Sequence, residues 1–363
     1  MQPFDVLVLV IGILLVLCAI LSAIRTFVLP RAANDLIARM VFRSVRRLFD
    51  LVIGPMKSYR RRDRVMSYFG PVALMTLPVA WLVTVGIGYA FIFWAVGIHP
   101  LGQAIVDSGS SLLTLGFERP AALAGELIAF SEAVIGLGMV ALLIAYLPTI
   151  YAAFSRRELL VTLLETRADS PPSPVMLLTR LHRIHGLDDL HDLWERWEEW
   201  FAELEETHTS LTVLVHFRSQ QPERSWVNAA GAVLDAAALV RSSVAIPIDP
   251  RADLMIRAGY LALRRITTVF HLPFDPAPTP GNATRIDRAT FDSALAVLAD
   301  SGVPLVADRE AAWRDFHGWR VNYDEPLQRL EALTVATQPW WTLPIRSALA
   351  TDDPFVDGSR GAS

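Results

Sequence analysis

The chain has 363 residues and a formal net charge of -4; 53% of the residues are hydrophobic and 19% are charged. This balance does not indicate a nucleic-acid partner, because phosphate backbones select proteins with strongly basic patches. The single cysteine, Cys18, excludes an intrachain disulfide and a zinc cluster built from thiolates. So many apolar residues beside so many charges indicate that the apolar residues are concentrated in part of the chain.

The first 154 residues contain three segments that are apolar enough to cross a bilayer. Residues 6–24 are uncharged, and about 19 residues at a rise of 1.5 Å span roughly 28 Å, close to the thickness of the hydrocarbon core. Residues 70–98 carry no charged side chain, and residues 127–154 contain one acid, Glu132. We predict three transmembrane helices. The first is expected to be retained, because Asp5 and no basic residue precedes its apolar run, unlike a signal peptide.

Basic residues predict the orientation of these helices. Only Arg119 lies between the second and third spans, whereas Arg156 and Arg157 follow the third. The positive-inside rule therefore predicts an external N-terminus and a cytoplasmic C-terminal half. The segment between the first and second spans carries the other basic residues near the membrane: Arg25, Arg31, Arg39, Arg43, Arg46, Arg47, Lys57, Arg60, Arg61, Arg62 and Arg64.

Residues 36–53 are also apolar, but they include four arginines, Arg39, Arg43, Arg46 and Arg47. At roughly 2.5 to 3.5 kcal/mol for each arginine, these charges would oppose insertion by about 10 kcal/mol. The pattern favours a basic amphipathic helix on the inner leaflet, with anionic lipid headgroups as partners. The alternative is a voltage-sensing helix, although the arginines lack a regular three-residue repeat.

The segment between the second and third spans has too few residues for a folded domain and is too apolar for an exposed loop. We predict a short helix over residues 103–113 and an extended return over residues 114–118, which together form a re-entrant pore loop. Backbone carbonyls of such a loop can replace the water shell of a cation. The predicted ion-filter residues are Thr114, Leu115, Gly116, Phe117 and Glu118.

The order of membrane helix, short helix, T-L-G-F and glycine-containing helix resembles the bacterial potassium-channel-like family with one pore loop per subunit, over residues 71–158. The resemblance implies a homotetramer in the bacterial inner membrane, since each chain supplies one quarter of a filter. It implies K⁺ or another monovalent cation as the permeant ion, and no cofactor. It also implies that Gly136 and Gly138 let the inner helix bend for gating. Pro148 offers a second bend, because it removes an internal hydrogen bond.

Two departures from the family's filter bear on selectivity. Phe117 lacks the hydroxyl of the usual tyrosine, and Glu118 stands where a second glycine is expected. Four copies of Glu118 would form an acidic ring, which attracts cations in general. Potassium selectivity and broad cation conduction therefore both stay open. The rival hypothesis is a membrane-anchored sensor or scaffold whose channel-like fold does not conduct.

Glu132 lies inside the third apolar segment, where an ionisable residue is a functional candidate. We interpret it as support for the pore helix, with direct ion binding as the alternative.

The sequence predicts an all-α membrane protein with an all-α cytoplasmic domain. Only short stretches, such as residues 211–215, are compatible with strands, and Trp194, Trp197 and Phe201 form a predicted core stripe. The predicted cytoplasmic helices cover residues 176–185, 187–206, 227–244, 252–271, 288–300 and 308–336. The predicted parts are an N-terminal transmembrane helix (1–33), a basic interfacial segment (34–69), the pore module (70–158), a linker (159–174), the helical domain (175–337) and a partly disordered tail (338–363).

Motifs for catalysis or nucleotide binding are missing from the sequence: it contains no G-x-G-x-x-G, P-loop or nucleophile elbow. We therefore predict that the chain is not an enzyme and that an unknown cytoplasmic ligand acts on its C-terminal half. A histidine and aspartate cluster is compatible with a divalent metal but lacks a second matched pair, so no metal site is predicted. The cluster consists of His182, His185, His191, Asp188, Asp189 and Asp192.

Overall fold

The computed structural model describes residues 2–27, 35–184, 187, 190–219, 221, 224–336 and 339–343. Within these residues the fold is helical, as predicted, and strand pairing is limited to an isolated antiparallel bridge between Val244 and Leu305. The chain divides into two compact units. The first comprises residues 1–153 and 210–217, and the second comprises residues 154–209 and 218–363.

The first unit contains the predicted membrane helices. Three helices are long and apolar enough to cross a membrane, over residues 3–26, 61–95 and 123–168, which confirms the three predicted segments. The helix over residues 36–53 is not among them. The helices are α1 (Pro3–Phe27), α2 (Leu36–Ile53), α3 (Tyr59–Met66), α4 (Phe69–Ala95), α5 (Leu101–Leu112) and α6 (Leu123–Ala168), and the end of α6 belongs to the second unit.

Helices α1 and α4 approach each other closely at two glycines. A Cβ atom on Gly12 would lie 2.6 Å from the carbonyl oxygen of Gly88, and a Cβ on Gly88 would lie 2.8 Å from the carbonyl oxygen of Gly12. A bilayer supplies no hydrophobic driving force between helices. Helices therefore pack there through close contacts, which small residues at the crossing allow. This crossing explains why both positions are glycine.

A chain of buried hydrogen bonds joins α1, α2 and α4. Trp81 Nε1 donates to Ser22 Oγ over 2.7 Å, and Ser22 Oγ donates to Asp35 Oδ2 over 2.6 Å. Asp35 is the N-cap of α2 and also accepts from the backbone N–H of Ala38 over 2.7 Å. The start of α2 is therefore attached to α1 and α4 by directional bonds.

Within its described residues, the second unit holds the end of α6, seven further α-helices and a short 3₁₀ helix, Trp340–Thr342. The seven α-helices are α7 (Pro174–Arg183), α8 (Leu190–Ser210), α9 (Trp226–Ser243), α10 (Pro250–Val269), α11 (Arg288–Asp300), α12 (Arg309–Arg320) and α13 (Asp324–Thr334). The predicted core stripe of Trp194, Trp197 and Phe201 is buried, as expected. Trp340, predicted to lie in the tail, is also buried.

One of the predicted cytoplasmic helices is wrong. Residues 308–336 form two helices, because Pro326 lacks an N–H and fits only in the first turn of a new helix. The stretch that the sequence left compatible with a strand forms a 3₁₀ helix, Thr212–His216, which belongs to the first unit. A short apolar segment without a partner strand satisfies its backbone locally.

Asp235 on α9 is the centre of the polar core of the second unit. Its carboxylate is fully buried, forms an ion pair with Arg320, and accepts from Tyr323 OH over 3.0 Å and from Trp340 Nε1 over 2.7 Å. Burial lowers the pKa of Arg320, but the charges of Asp235 and Asp324 outweigh burial, and the net shift is upward. Arg320 therefore stays charged in the core, and this charge requires Asp235.

Replacing Asp235 with asparagine is expected to destabilise the second unit by about 3 to 5 kcal/mol, because it leaves the buried Arg320 short of a carboxylate. Thermal and denaturant unfolding of the full chain in detergent measures this change. The matched control is Asp253→Asn, which breaks a partly exposed ion pair with Arg241 and is expected to cost less than about 1 kcal/mol. Equal losses for the two variants would contradict the central role of Asp235.

Candidate functional site

The short helix α5 ends in a tight turn rather than an extended strand. The N–H of Thr114 donates to the carbonyl of Ser111 over 3.0 Å, and the N–H of Leu115 donates to the carbonyl of Ser110 over 2.9 Å. This pair of bonds is a Schellman motif, which satisfies carbonyls at a helix C-terminus. Thr114 has φ of 55° and Gly116 has φ of 70°. The predicted extended return is therefore wrong at these residues, because the last carbonyls of α5 recruit the N–H groups that follow.

Thr114 occupies the position of this motif where glycine is usual. A β-branched residue in the left-handed region is strained, and strained residues often lie at functional sites. The sequence shows a threonine compatible with a filter, but only the backbone shows that it is strained.

Ser110 holds the two ends of the loop together. Its carbonyl accepts from the N–H of Leu115 and, over 3.3 Å, from the N–H of Gly116. Its hydroxyl accepts from the N–H of Glu118 and donates to the carbonyl of Glu118, both over 3.1 Å. A single serine therefore organises the whole segment, since a hydroxyl can donate once and accept twice.

The backbone carbonyls of the loop are not paired. The carbonyls of residues 114 to 117 accept no hydrogen bond within the described part of the chain. Leu115 and Phe117 are 61% and 66% exposed. In one copy of the chain, the five predicted filter residues thus present free carbonyls and apolar side chains at the surface of the first unit.

Glu118 is exposed, while the neighbouring cation is engaged elsewhere. The guanidinium of Arg119 lies 2.9 Å from the carboxylate of Glu126 at the start of α6. No ion pair involves the Glu118 carboxylate among the described residues. Its negative charge is therefore not neutralised by the adjacent arginine.

Ser108 connects α5 to the helices on either side of it. Its hydroxyl lies 3.0 Å from the carbonyl of Gly86 on α4 and 2.6 Å from Oε1 of Glu132 on α6. The hydroxyl has one proton and can donate it to either of these oxygens. Glu132 is fully buried, and its Oε2 has no hydrogen-bond partner among the described residues. The structure thus brings Glu132 against α5, and its supporting role stays a prediction.

The two glycines predicted as a gating hinge have different surroundings. A Cβ on Gly136 would lie 2.3 Å from the carbonyl oxygen of Leu112, the last residue of α5, whereas nothing lies within 4 Å of a Cβ on Gly138. Helix α6 continues through both glycines and through Pro148. Gly136 is therefore a packing position, and the bending of α6 stays a prediction.

Sequence reasoning missed Ser108 and Ser110. A buried acid in an apolar helix needs a donor, so Glu132 was a signal for a hydroxyl partner on the short polar helix. Nothing in the residue pattern distinguishes Ser110 from Ser111, because their roles depend on where the loop returns.

The histidines and aspartates grouped in the sequence do not converge where the structure describes them. Within the described residues, no group of three His, Cys, Asp or Glu side chains is arranged to hold a metal ion. His191 Nδ1 instead lies 3.2 Å from Asp249 Oδ1. His185, Asp188 and Asp189 fall outside the described residues.

Comparison with known proteins finds no match: no protein-family model, no curated protein and no solved structure is significantly similar to this chain.

Replacing Ser110 with alanine removes both side-chain bonds to Glu118. At roughly 1 kcal/mol for each bond, we expect amide hydrogen exchange at residues 115–118 to accelerate by about fivefold or more. The control is Ser111→Ala, because within the described residues Ser111 Oγ bonds only to the carbonyl of Asp107 on its own helix. Similar exchange in the two variants would contradict the organising role of Ser110.

Gly136→Ala is expected to destabilise the first unit by about 1 to 3 kcal/mol, because the added methyl overlaps the carbonyl of Leu112. Gly138→Ala is the matched control and is expected to be neutral or stabilising by up to about 1 kcal/mol, since alanine favours helix over glycine. Thermal unfolding in detergent compares the two. A more stable Gly136→Ala protein would show that α5 and α6 do not pack closely at this point.

Proposed function

We propose that this protein is the pore-forming subunit of a homotetrameric cation channel of the bacterial inner membrane. Residues 114 to 118 of four chains line the ion pathway. The observation that carries this proposal is the loop organised by Ser110, which leaves the carbonyls of residues 114 to 117 free. It follows a short helix that contacts two membrane-length helices.

The contacts of Ser108 support a re-entrant position for α5. Gly86 lies nine residues before the end of α4, and Glu132 lies nine residues after the start of α6. Each partner is therefore about 14 Å from the helix end nearest the connecting segment. Because the Ser108 hydroxyl is within hydrogen-bonding distance of both Gly86 and Glu132, α5 reaches about this depth between α4 and α6. Irregular backbone at such depth requires protein or a water-filled cavity around it, which a tetramer with a central pore supplies.

The free polar groups of the loop support cation binding. The N–H groups of Leu115 and Gly116 both donate to the carbonyl of Ser110. These two donors are thereby used inside the chain, whereas the carbonyls of residues 114 to 117 accept no hydrogen bond among the described residues. Four sets of free carbonyls around an axis can replace the hydration shell of a cation. The C-terminal end of the α5 dipole adds negative potential at the same place.

Glu118 is expected to attract all cations and not to select K⁺ among them. Its carboxylate is free, and Arg119, the nearest cation in sequence, pairs with Glu126. Four such carboxylates raise the local cation concentration but do not measure ion size. The channel therefore conducts monovalent cations, K⁺ included, with weaker selectivity than a filter that has two glycines.

The second unit is the regulatory part in this proposal, in the cytoplasm, with a ligand that biases the bending of α6. Within that unit, Arg157 near the end of α6 is buried and lies 3.1 Å from His208 Nε2. Burial, and then the charge of Arg157, lower the pKa of His208 well below its ordinary value. A neutral His208 accepts from Arg157, so α8 holds the end of α6 by a bond that does not depend on protonation near neutral pH.

Planar-bilayer recording of the purified full chain tests the proposal. We expect a K⁺ current that Glu118→Gln reduces in about 0.01 M salt, where the Debye length is about 30 Å, and barely changes in about 1 M salt, where it is about 3 Å. Glu118→Gly is expected to raise the permeability of K⁺ relative to Na⁺. Glu310→Gln, at an exposed acid of the second unit, is the charge-matched control.

Two outcomes would contradict the channel. One is the absence of cation current in wild-type protein at every voltage tested. The other is a cross-linked mass that differs from a tetramer. Either outcome would favour the rival hypothesis of a membrane-anchored sensor or scaffold.

A further inference from the structure

Helix α2 has three rows of side chains that follow one another around its axis. Residues four apart share a face, and neighbouring rows are about 100° apart. The first row packs inward, because Val41 and Val45 are buried. Phe49 lies on the same side, with its ring centroid 5.6 Å from that of Phe69 on α4. This row attaches α2 to α4.

The second row is apolar and exposed. Leu36 and Met40 are each 59% exposed, and Leu48 is 60% exposed. Leu51, one turn after Leu48, is 76% exposed. The exposed Ser44 is the one polar member of this row, between Met40 and Leu48. A largely apolar row on the outside of a protein indicates a partner that removes it from water.

The third row is basic, and most of its charge is available. Arg39, Arg43 and Arg47 are exposed. Arg39 Nε donates to the backbone carbonyl of Asp35 over 3.4 Å, while the guanidinium groups of Arg43 and Arg47 bind no acid among the described residues. The row carries three positive charges beside the exposed apolar row.

Arg46, which the sequence groups with these arginines, belongs to a different face. Its Nε lies 3.0 Å from Asp50 Oδ1, and its guanidinium lies 5.8 Å from the ring centroid of Phe69. Asp50 is thereby occupied as well. The acid at the start of the helix, Asp35, accepts hydrogen bonds from the hydroxyl of Ser22 and from the backbone N–H of Ala38. The acids of α2 therefore leave Arg43 and Arg47 unneutralised.

The attachment of α2 to α1 sets its depth. Ser22, which donates to Asp35, lies five residues before the end of α1. The start of α2 is therefore held about 8 Å from the end of a helix that is long enough to cross a membrane. At this level a surface helix meets both headgroups and acyl chains.

We propose that α2 binds an anionic phospholipid, with the headgroup phosphate on Arg43 and Arg47 and an acyl chain along Met40, Leu48 and Leu51. The two adjacent rows match the two chemical halves of such a lipid. Arginine binds phosphate through paired N–H donors, and the neighbouring apolar row lies where the chain leaves the headgroup. A zwitterionic lipid supplies the chain but no net charge for the arginines. This binding does not depend on ion conduction.

Native mass spectrometry of the full chain in neutral detergent, with phosphatidylglycerol or phosphatidylcholine added, tests the proposal. Wild-type protein is expected to retain phosphatidylglycerol preferentially. At roughly fivefold in affinity for each arginine near a lipid surface, Arg43→Gln/Arg47→Gln is expected to weaken phosphatidylglycerol binding by about 25-fold and to abolish the preference. The control, Arg196→Gln/Arg257→Gln, removes two exposed arginines of the second unit and is expected to retain it.

A second variant tests the apolar row. Leu48→Gln/Leu51→Gln is expected to weaken the binding of both lipids, because both offer the same acyl chain. Equal phosphatidylglycerol binding by wild type and Arg43→Gln/Arg47→Gln would overturn the proposal. An equal loss of phosphatidylglycerol binding in the control, Arg196→Gln/Arg257→Gln, would also overturn it. The same spectra report the oligomeric mass. If Leu48→Gln/Leu51→Gln changed the oligomeric mass relative to wild type but left lipid binding unchanged, the surface would be assigned to a second copy of the chain instead.

Discussion

Polar groups in an apolar surrounding need hydrogen-bond partners, and in the first unit this constraint joins three helices at the hydroxyl of Ser108. This hydroxyl is the point where α5 reaches the carbonyl of Gly86 and the carboxylate of Glu132. Because Glu132 is buried and has no other hydrogen-bond donor among the described residues, α5 has to lie where its serine can reach. The position of α5 then determines where its C-terminus, and the loop after it, are placed.

Backbone packing supports the same junction. Gly136 lies so close to the carbonyl of Leu112 that no side chain fits between them, and Gly12 and Gly88 make a similar approach between α1 and α4. In lipid, helices gain little from hiding apolar surface from one another. Close approach at glycines and a few buried hydrogen bonds therefore carry the specificity of the first unit.

The second unit obtains its specificity differently. It has an apolar core of ordinary type, including Trp194 and Phe201, around the buried charges of Asp235 and Arg320. Burial and the carboxylate of Asp235 raise the pKa of Tyr323 well above its ordinary value, so this phenol remains a donor. A buried carboxylate with an arginine, a tyrosine and a tryptophan as partners accepts few alternative packings.

The sequence by itself determined the three membrane-length helices, since length and lack of charge are local properties. It also determined that the chain is helical, whereas the exclusion of residues 36–53 from the membrane core by their four arginines stays a prediction. It did not determine the conformation of Thr114, because the carbonyls left over at the end of α5 decide which N–H groups turn back.

Only the tertiary structure separated residues of the same type. Ser110 differs from Ser111, Gly136 from Gly138, and Arg46 from Arg43, through the atoms that lie opposite each of them. Those atoms belong to Glu118 in the loop, Leu112 on α5 and Phe69 on α4. A hydrogen bond or a close approach depends on distances of a few tenths of an ångström, which residue type and spacing do not encode.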